Sequence, residues 1–187
     1  FGDDKIAVGF WEGWNLYKVI VKTKLGIDET ANLIRTEADL ERIPRSHIVI
    51  DEDGIGGGVM DLLKGSKGFI ANHSPFDEDK IQNFKNLKAQ CSYRLADKIN
   101  RREASITGQL TESLREMLIE ELEQIKSKDA DKDGKRQVVP KDEVKERLGR
   151  SPDLADMLMM RAYFDVAGKD KGTFGVSSFT PALREFR

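Results

Sequence analysis

Cysteine and histidine are scarce in this sequence, and their scarcity removes several classes of site. A single cysteine, Cys91, among 187 residues excludes an internal disulfide framework and a cysteine-based zinc site. The expected role of Cys91 is that of a small buried apolar residue. The two histidines, His47 and His73, lack the His-Glu-x-x-His spacing of a zinc protease, so we expect each to be a structural or a surface residue. No feature of the sequence indicates a serine or cysteine nucleophile.

Long apolar runs and a strong net charge are also absent. The sequence holds no recognisable signal peptide and no apolar run long enough to span a membrane, so we expect a cytoplasmic protein. The formal net charge is −2, which gives no overall basic field of the kind that attracts nucleic acid. Any DNA binding would therefore depend on local clusters of basic residues.

The sequence does contain an alternating series of strand and helix patterns. Its 187 residues, 39% of them hydrophobic, suit one domain with one core, which we expect to cover residues 1–168, followed by an irregular tail over 169–187. The order of the elements is typical of an α/β fold. The predicted strands are 5–11, 16–22, 47–51 and 68–71, the predicted helices are 28–43, 54–64, 77–102, 111–123, 141–148 and 152–167, and a hairpin pairs 125–128 with 136–139.

Acidic residues at the ends of two predicted elements are the main functional signal. Asp51 follows the apolar run of residues 48–50, as at the end of a buried strand, and Asp53 could share its face. Asp153 and Asp156 lie at the start of the last predicted helix, three residues apart and able to share one face. Carboxylate oxygens suit a hard divalent cation, and two-metal phosphodiester chemistry uses such groups. The simpler alternatives are an acidic turn after a strand and acids that favour a helix dipole.

Glycines follow the predicted strand that ends at Asp51, but they do not form a nucleotide-binding motif. The dinucleotide fingerprint needs a glycine at its sixth position, where this sequence has Val59, and no Walker A motif is present. We expect the glycines of 54–58 to let the backbone turn sharply and pack closely beside Asp51. The segment 129–134 is similar to the start of an EF-hand loop, but the twelfth position is Pro140 rather than glutamate. A polar hairpin turn is therefore the preferred interpretation.

One stretch of the longest predicted helix is strongly basic. Between residues 80 and 102, seven lysines and arginines accompany a single acid, Asp97, which leaves a charge of +6. This segment is either an ordinary solvated helix face or a surface that contacts DNA phosphates. The residues expected to contact phosphates are Lys85, Lys88, Arg94, Lys98, Arg101 and Arg102.

Four segments, taken in order, resemble parts of one known family, and together they span roughly residues 1 to 165. In these segments the chain resembles the C-terminal nuclease domain of the large terminase subunit of tailed bacteriophages and prophages. The segments are Phe1-Gly2-Asp3-Asp4-Lys5-Ile6-Ala7-Val8, the glycine-containing stretch 49–63, the Phe84-x-Asn86-x-Lys88 stretch, and the helix 141–148 with the following Gly149-Arg150-Ser151-Pro152-Asp153-Leu154-Ala155-Asp156.

The resemblance implies an RNase H-like fold, in which a mixed sheet is flanked by helices and a carboxylate cluster binds two divalent cations, Mg²⁺ or Mn²⁺. By position, Asp51 matches the family's second catalytic acid and Asp153 the third. Asp156 is then an accessory metal ligand, and Asp53 is a weaker alternative to Asp51. The family's first acid lies on a strand just before the segment that residues 1–8 resemble. That strand is absent from this sequence, so we expect the chain either to be part of a longer protein or not to complete the cluster alone.

The implied function is that of a metal-dependent endonuclease. Such an enzyme cuts concatemeric double-stranded DNA in the cytoplasm of the host cell during phage genome packaging. The implied partners are the terminase ATPase domain, which precedes the nuclease in the family, the small terminase subunit and the portal. The alternative is a non-catalytic RNase H-like module for DNA binding or motor assembly, and metal-dependent cleavage of plasmid DNA separates the two.

Overall fold

Two antiparallel strands joined by a tight turn open the described part of the protein. The computed structural model describes residues 5–53, 56–76, 83–128 and 134–168. Strand β1 (Lys5–Glu12) pairs with β2 (Asn15–Thr23), and Glu12 lies opposite Asn15 at the turn. Gly13 adopts φ +58°, a left-handed value that glycine reaches without steric cost. A tight turn at Gly13 therefore joins the two predicted strands.

Helix α1 (Ile27–Leu40) comes next and differs from the prediction at both ends. Gly26, rather than Asp28, occupies the N-cap position, and its amide donates a hydrogen bond to the Glu29 carboxylate at 2.8 Å. The helix also ends three residues before the predicted residue 43. Pro44 disfavours helical backbone in the residue before it, and Arg42 already has a left-handed φ of +57°.

Two short parallel strands carry the first candidate acid. Strand β3 (Val49–Asp51) ends at Asp51 as predicted, and after helix α2 (Gly56–Leu62) the chain returns as strand β4 (Lys67–Phe69). Parallel neighbours need such a crossover. Asp51 lies opposite Phe69, so the acid stands at the carboxyl edge of this pair.

The predicted long helix over 77–102 is shorter than expected. Residues 77–82 lie outside the described residues, and helix α3 (Leu87–Asn100) begins only after Asn86. The Asn86 side chain accepts a hydrogen bond from the Ala89 amide at 2.9 Å and so caps the helix. Phe84 forms a bridge with Arg136 instead of a helical turn. The helical prediction was therefore wrong for residues 83–86.

A two-residue strand that the sequence does not predict completes the first sheet. Strand β5 (Ser105–Ile106) pairs in parallel with β2 and gives a mixed sheet of order β1-β2-β5. Both residues of β5 are exposed, and two residues are too few to show a strand periodicity.

The next elements follow the prediction closely. Helix α4 (Glu112–Gln124) is capped by Thr111, whose hydroxyl accepts from the Leu114 amide. Strands β6 (Ser127–Lys128) and β7 (Gln137–Val138) form the predicted antiparallel hairpin, although 129–133 lie outside the described residues. Helix α5 (Lys141–Leu148) has the predicted bounds, and Pro140 precedes it.

The last predicted helix is divided in two. Helix α6 (Asp153–Met160) and helix α7 (Tyr163–Val166) are separated by a turn at 161–162. Pro152 takes the N-cap position, and no side chain at that position caps the helix. All residues from 154 to 159 are buried, which marks α6 as a helix surrounded on every side.

The core has two parts, and α6 lies in the larger one. That cluster joins β2, β4, α3, α4, α6 and α7, whereas a smaller cluster of Ala31, Ile50, Val59 and Leu63 joins α1, α2 and β3. Strands flanked by helices confirm the predicted α/β class. No helix in the described ranges is long and apolar enough to cross a membrane. The proposed tail over 169–187 lies outside these ranges and stays a prediction.

Cys91 gives a direct test of the core. The side chain is 0% exposed, and burial raises the pKa of its thiol from 9.0 to about 12. Only the thiolate attacks a disulfide reagent, so the pKa shift alone should slow labelling by roughly 1000-fold near pH 8. We expect Ellman's reagent to label the native protein at least that much more slowly than the protein in guanidinium chloride. Rapid labelling without unfolding would contradict the position of Cys91.

Candidate metal centre

Backbone packing fixes the position of Asp51. This residue ends β3, and its Oδ1 accepts a hydrogen bond from the Asp53 amide at 3.2 Å. Gly56, at the start of α2, approaches so closely that a Cβ there would lie 1.5 Å from the Asp51 carbonyl oxygen. The expectation that a glycine packs against the backbone beside Asp51 is therefore confirmed, and the required glycine is Gly56.

Asp156 lies at the centre of two ion pairs. It belongs to α6 and is 8% exposed. Its Oδ1 lies 3.0 Å from Lys88 Nζ and its Oδ2 lies 2.7 Å from Lys141 Nζ. Lys141 Nζ is also 3.9 Å from Asp51 Oδ2, so one ammonium group joins two carboxylates from different elements. We call Asp51, Asp156, Lys88 and Lys141 the aspartate–lysine cluster.

A small cavity opens beside this cluster. Its charged lining is the aspartate–lysine cluster together with Asp53, and its apolar lining is Phe69, Ala71 and Met159. Apolar walls limit the access of water, and charges interact more strongly where water is excluded. The cavity therefore combines acidic groups with the partly dry surroundings in which a bound cation interacts strongly.

The titration of Asp156 is controlled by its two lysines. Burial alone would raise the pKa of Asp156, but the ammonium groups of Lys88 and Lys141 outweigh burial and lower the pKa below its ordinary 3.8. Because the folded pKa is depressed, the stabilisation from these pairs is present above the ordinary value. It is lost as the pH falls through the lowered folded value.

Asp51 and Lys141 respond differently to the same surroundings. Burial is the main cause that raises the pKa of Asp51, against the opposing effects of the Asp53 amide and of Lys141. Burial alone would lower the pKa of Lys141, but the charges of Asp156, Asp51 and Asp153 raise it. Lys141 therefore stays an ammonium ion at neutral pH and is not a general base.

Asp153 lies near the cluster but makes a different contact. Its Oδ2 accepts a hydrogen bond from the Lys5 amide of β1 at 3.2 Å, and it does not line the cavity. Its charge still contributes to the raised pKa of Lys141, so the two groups are neighbours. The structure thus brings Asp51 together with Asp156 more directly than with Asp153, and the metal-binding role of each remains a prediction.

The chemistry of these groups fits a hard divalent cation. The Lys141 ammonium group lies between the carboxylates of Asp51 and Asp156, which marks a position that favours positive charge. Within the described ranges, no group of three or more His, Cys, Asp or Glu side chains is placed to hold a metal ion. Protein sites for Mg²⁺ often supply only one or two carboxylates and leave the remaining positions to water and substrate phosphate. Two carboxylates in this cavity meet that requirement.

The basic residues in and beside α3 have different surroundings from one another. Lys88, predicted to contact DNA, points to Asp156. Lys85 donates to the Gln137 side chain at 3.1 Å, and Lys98 pairs with Glu103 at 2.6 Å. Arg94 is half-buried, whereas Arg101 and Arg102 are exposed. Arg101 and Arg102, like Lys85, are therefore accessible among the predicted phosphate contacts.

Lys141 is the group that the sequence reasoning did not identify. It lies one residue after Pro140 at the start of a charged helix, and nothing local separates it from Lys145, the other lysine of that helix. Lys88 had a stronger signal in the Phe84-x-Asn86-x-Lys88 stretch, but its partner Asp156 is 68 residues away. Neither ion pair could be predicted without the tertiary fold.

The fold is RNase H-like. It has a mixed sheet with helices around it, and carboxylates at a strand end and in the first turns of a helix. Solved structures place the chain more narrowly. It is similar to a lysine-to-alanine variant of gp2c of the large terminase subunit of bacteriophage Sf6 with calcium, at 27% identity and a TM-score of 0.70 over 86% of this chain and 82% of that one. The resemblance to phage terminase nuclease domains is thereby confirmed.

Two further structures of the nuclease domain from the same phage agree. The variant nuclease domain with manganese has 26% identity and a TM-score of 0.68, over 86% of this chain and 88% of that one. The nuclease domain without the substitution has 26% identity and a TM-score of 0.66, over 84% and 86%. No family model and no curated protein sequence matches the chain.

Proposed function

We propose that this chain is a divalent-metal-dependent nuclease of a phage DNA-packaging terminase and that it hydrolyses phosphodiester bonds of double-stranded DNA. The observation that carries the proposal is the convergence of Asp51 and Asp156 on one positive charge, 3.9 and 2.7 Å from Lys141 Nζ. The similar Sf6 domains solved with manganese and calcium support it.

In this proposal Asp51 and Asp156 hold Mg²⁺ or Mn²⁺, with Asp153 as a further candidate ligand. When bound, a pair of such ions supplies Lewis acidity and a more acidic water for in-line attack on phosphorus. The protein contributes the orientation of the acids, through β3 and α6, and an apolar wall at Phe69 and Met159 that limits bulk water. Lys88 and Lys141 add fixed positive charge, which favours an approaching phosphate.

The biological setting is part of the same proposal. Concatemeric phage DNA in the host cytoplasm is the proposed substrate. The terminase ATPase domain, the small terminase subunit and the portal are the proposed partners in the packaging motor. These assignments are supported only by the likeness to terminase nuclease domains.

Plasmid cleavage tests the proposed activity. We expect supercoiled plasmid to be nicked and linearised with Mn²⁺ or Mg²⁺ and to stay intact with EDTA. Calorimetric titration of the same protein with Mn²⁺ should report binding in the absence of DNA. A protein that neither binds Mn²⁺ nor cleaves DNA at millimolar metal would overturn the proposal.

A non-catalytic DNA-binding or assembly module is the second candidate. It is favoured by one observation, namely that lysine ammonium groups already neutralise Asp51 and Asp156. Such a module would bind DNA with no response to Mn²⁺ and would show no cleavage under any metal. The titration and the plasmid assay together therefore separate the two functions.

We expect weak, sequence-independent DNA binding that depends on Arg101 and Arg102. The double charge reversal Arg101→Glu/Arg102→Glu should weaken duplex binding and reduce the salt slope by about 1–2, because each phosphate contact releases counterions. The matched control is Arg42→Glu/Lys64→Glu, which makes the same charge change at two exposed residues after α1 and α2. Fluorescence anisotropy against salt concentration measures both. Equal losses in the two variants would show a general charge effect, and no loss in either would place the DNA elsewhere.

A further inference from the structure

Helix α6 begins without a cap of its own. The first amides of any helix lack intrahelical acceptors and need other partners. At α6 the N-cap residue is Pro152, and no side chain at that position accepts a hydrogen bond from the first turn. The same helix carries Asp153 and Asp156 in its first two turns, so whatever satisfies its first amides also fixes the position of those acids.

A carboxylate from another helix supplies the missing acceptor. Glu121 of α4 is 1% exposed, and its Oε2 accepts a hydrogen bond from the Ala155 amide at 2.9 Å. Burial raises the pKa of Glu121, and the Leu154 amide is among the groups that oppose this rise. A negative charge here also favours the positive end of the helix dipole. Glu121 thus caps α6 from a position 34 residues earlier in the chain.

Arg150 supports the buried carboxylate. Its guanidinium contacts Glu121 Oε1 through NH1 and Glu120 through NH2. A buried carboxylate without a partner would be costly, and Glu121 has both a cationic partner and an amide donor. Glu120 shares Arg150 but is exposed and has no hydrogen bond to α6 among the described contacts. The two neighbouring glutamates therefore have separable roles.

We propose that Glu121 is a positioning residue of the metal centre: by capping α6 it holds the carboxylates of Asp153 and Asp156 at the place where a divalent cation binds. This inference rests on the proposed metal-dependent function. It assigns to Glu121 no contact with metal or DNA. Substitution of Glu121 should therefore change the affinity for metal and the rate of hydrogen exchange at the α6 amides.

The variant Glu121→Gln tests the proposal. The glutamine side chain keeps the shape of the carboxylate, but only its oxygen accepts hydrogen bonds. It therefore cannot accept from Arg150 with one terminal atom and from α6 with the other, as Glu121 does. We expect Mn²⁺ affinity, measured by calorimetry at 10 °C, to fall by about 10–100-fold, the usual loss for a supporting partner of a metal ligand. The Ala155 amide should exchange with D₂O at least about tenfold faster in metal-free protein, as expected on losing a charge-assisted hydrogen bond.

Two controls separate positioning from loss of stability. Glu120→Gln makes the same chemical change one residue earlier and should leave Mn²⁺ affinity and Ala155 exchange unchanged. Leu118→Ala removes a buried side chain of α4 and should lower the melting temperature without weakening Mn²⁺ binding at 10 °C. If Glu121→Gln does not fold, Glu121→Asp replaces it, because aspartate keeps the charge with a shorter reach and should give an intermediate loss of affinity.

The outcomes distinguish this inference from the function on which it rests. Failure of the unmodified protein to bind Mn²⁺ would overturn both. Normal Mn²⁺ binding in the unmodified protein and in the Glu121 variant would overturn the positioning role and leave the proposed function intact. Equal losses in Glu121→Gln and Leu118→Ala would reduce Glu121 to a residue of general stability.

Discussion

Asp156→Asn is expected to reduce Mn²⁺ affinity and DNA cleavage by at least about 100-fold, since loss of a ligand should exceed the 10–100-fold effect of an outer partner. The substitution removes the negative charge of the carboxylate that contacts both Lys88 and Lys141 and changes side-chain volume little. Calorimetry with Mn²⁺ and the plasmid assay measure the effect, and circular dichroism checks that the fold is retained.

Asp153→Asn is the informative comparison. Its carboxylate accepts from the Lys5 amide and does not line the cavity, so we expect a smaller loss than for Asp156→Asn. Asp142→Asn, on the exposed start of α5, is the surface control and should have no effect. If Asp153→Asn abolishes Mn²⁺ binding while Asp156→Asn does not, Asp156 is only a structural partner of the two lysines.

Lys141→Ala is expected to destabilise the metal-free protein and to increase its response to Mn²⁺. The change leaves Asp51 without its ammonium partner and Asp156 with Lys88 alone. Removing one partner of such a pair should cost about 1–3 kcal/mol, which for a domain of this size lowers the melting temperature by roughly 2–12 °C. A cation would then replace the lost charge, so Mn²⁺ should raise the melting temperature more in the variant than in the unmodified protein.

The control for this experiment lies one turn along the same helix. Lys145 is exposed, and Lys145→Ala removes an equal charge without touching either acid. It should change neither the melting temperature nor the shift caused by Mn²⁺. A Lys141 variant that is destabilised but gains nothing from Mn²⁺ would show that the ammonium group does not occupy a cation position.

Much of the fold could be predicted because its signals are local. The apolar run before Asp51 predicts a buried strand, Thr111 predicts a helix start, and 141–148 has the pattern of a short helix. Predictions failed where a single polar residue or a tertiary contact decides the outcome. The Asn86 cap starts α3 only after residues 83–86, which were predicted to be helical, and pairing with β2 alone makes a strand of β5.

The candidate site was predictable in its acids but not in its arrangement. Strand and helix periodicity placed Asp51 at a strand end and Asp156 in the first turns of a helix. Whether Asp153 or Asp156 approaches Asp51 depends on how α6 is rotated against β3, which sequence spacing does not specify. The supporting charges of Lys88, Lys141 and Glu121 come from three other helices, and only the tertiary fold brings them together.

The close approach of α2 to the end of β3 has a consequence for how this sequence can vary. Among three consecutive glycines, a side chain at position 56 would collide with the backbone of Asp51. At 57 its nearest contact is 3.8 Å away, and at 58 it meets the side chain of Ile27. Substitution should therefore be blocked at Gly56 and free at Gly57. At Gly58 it should require a residue smaller than isoleucine at position 27. Asp51 keeps its position because the backbone packs against it where residue 56 has no side chain. A library randomised over 56–58 should therefore recover glycine chiefly at position 56.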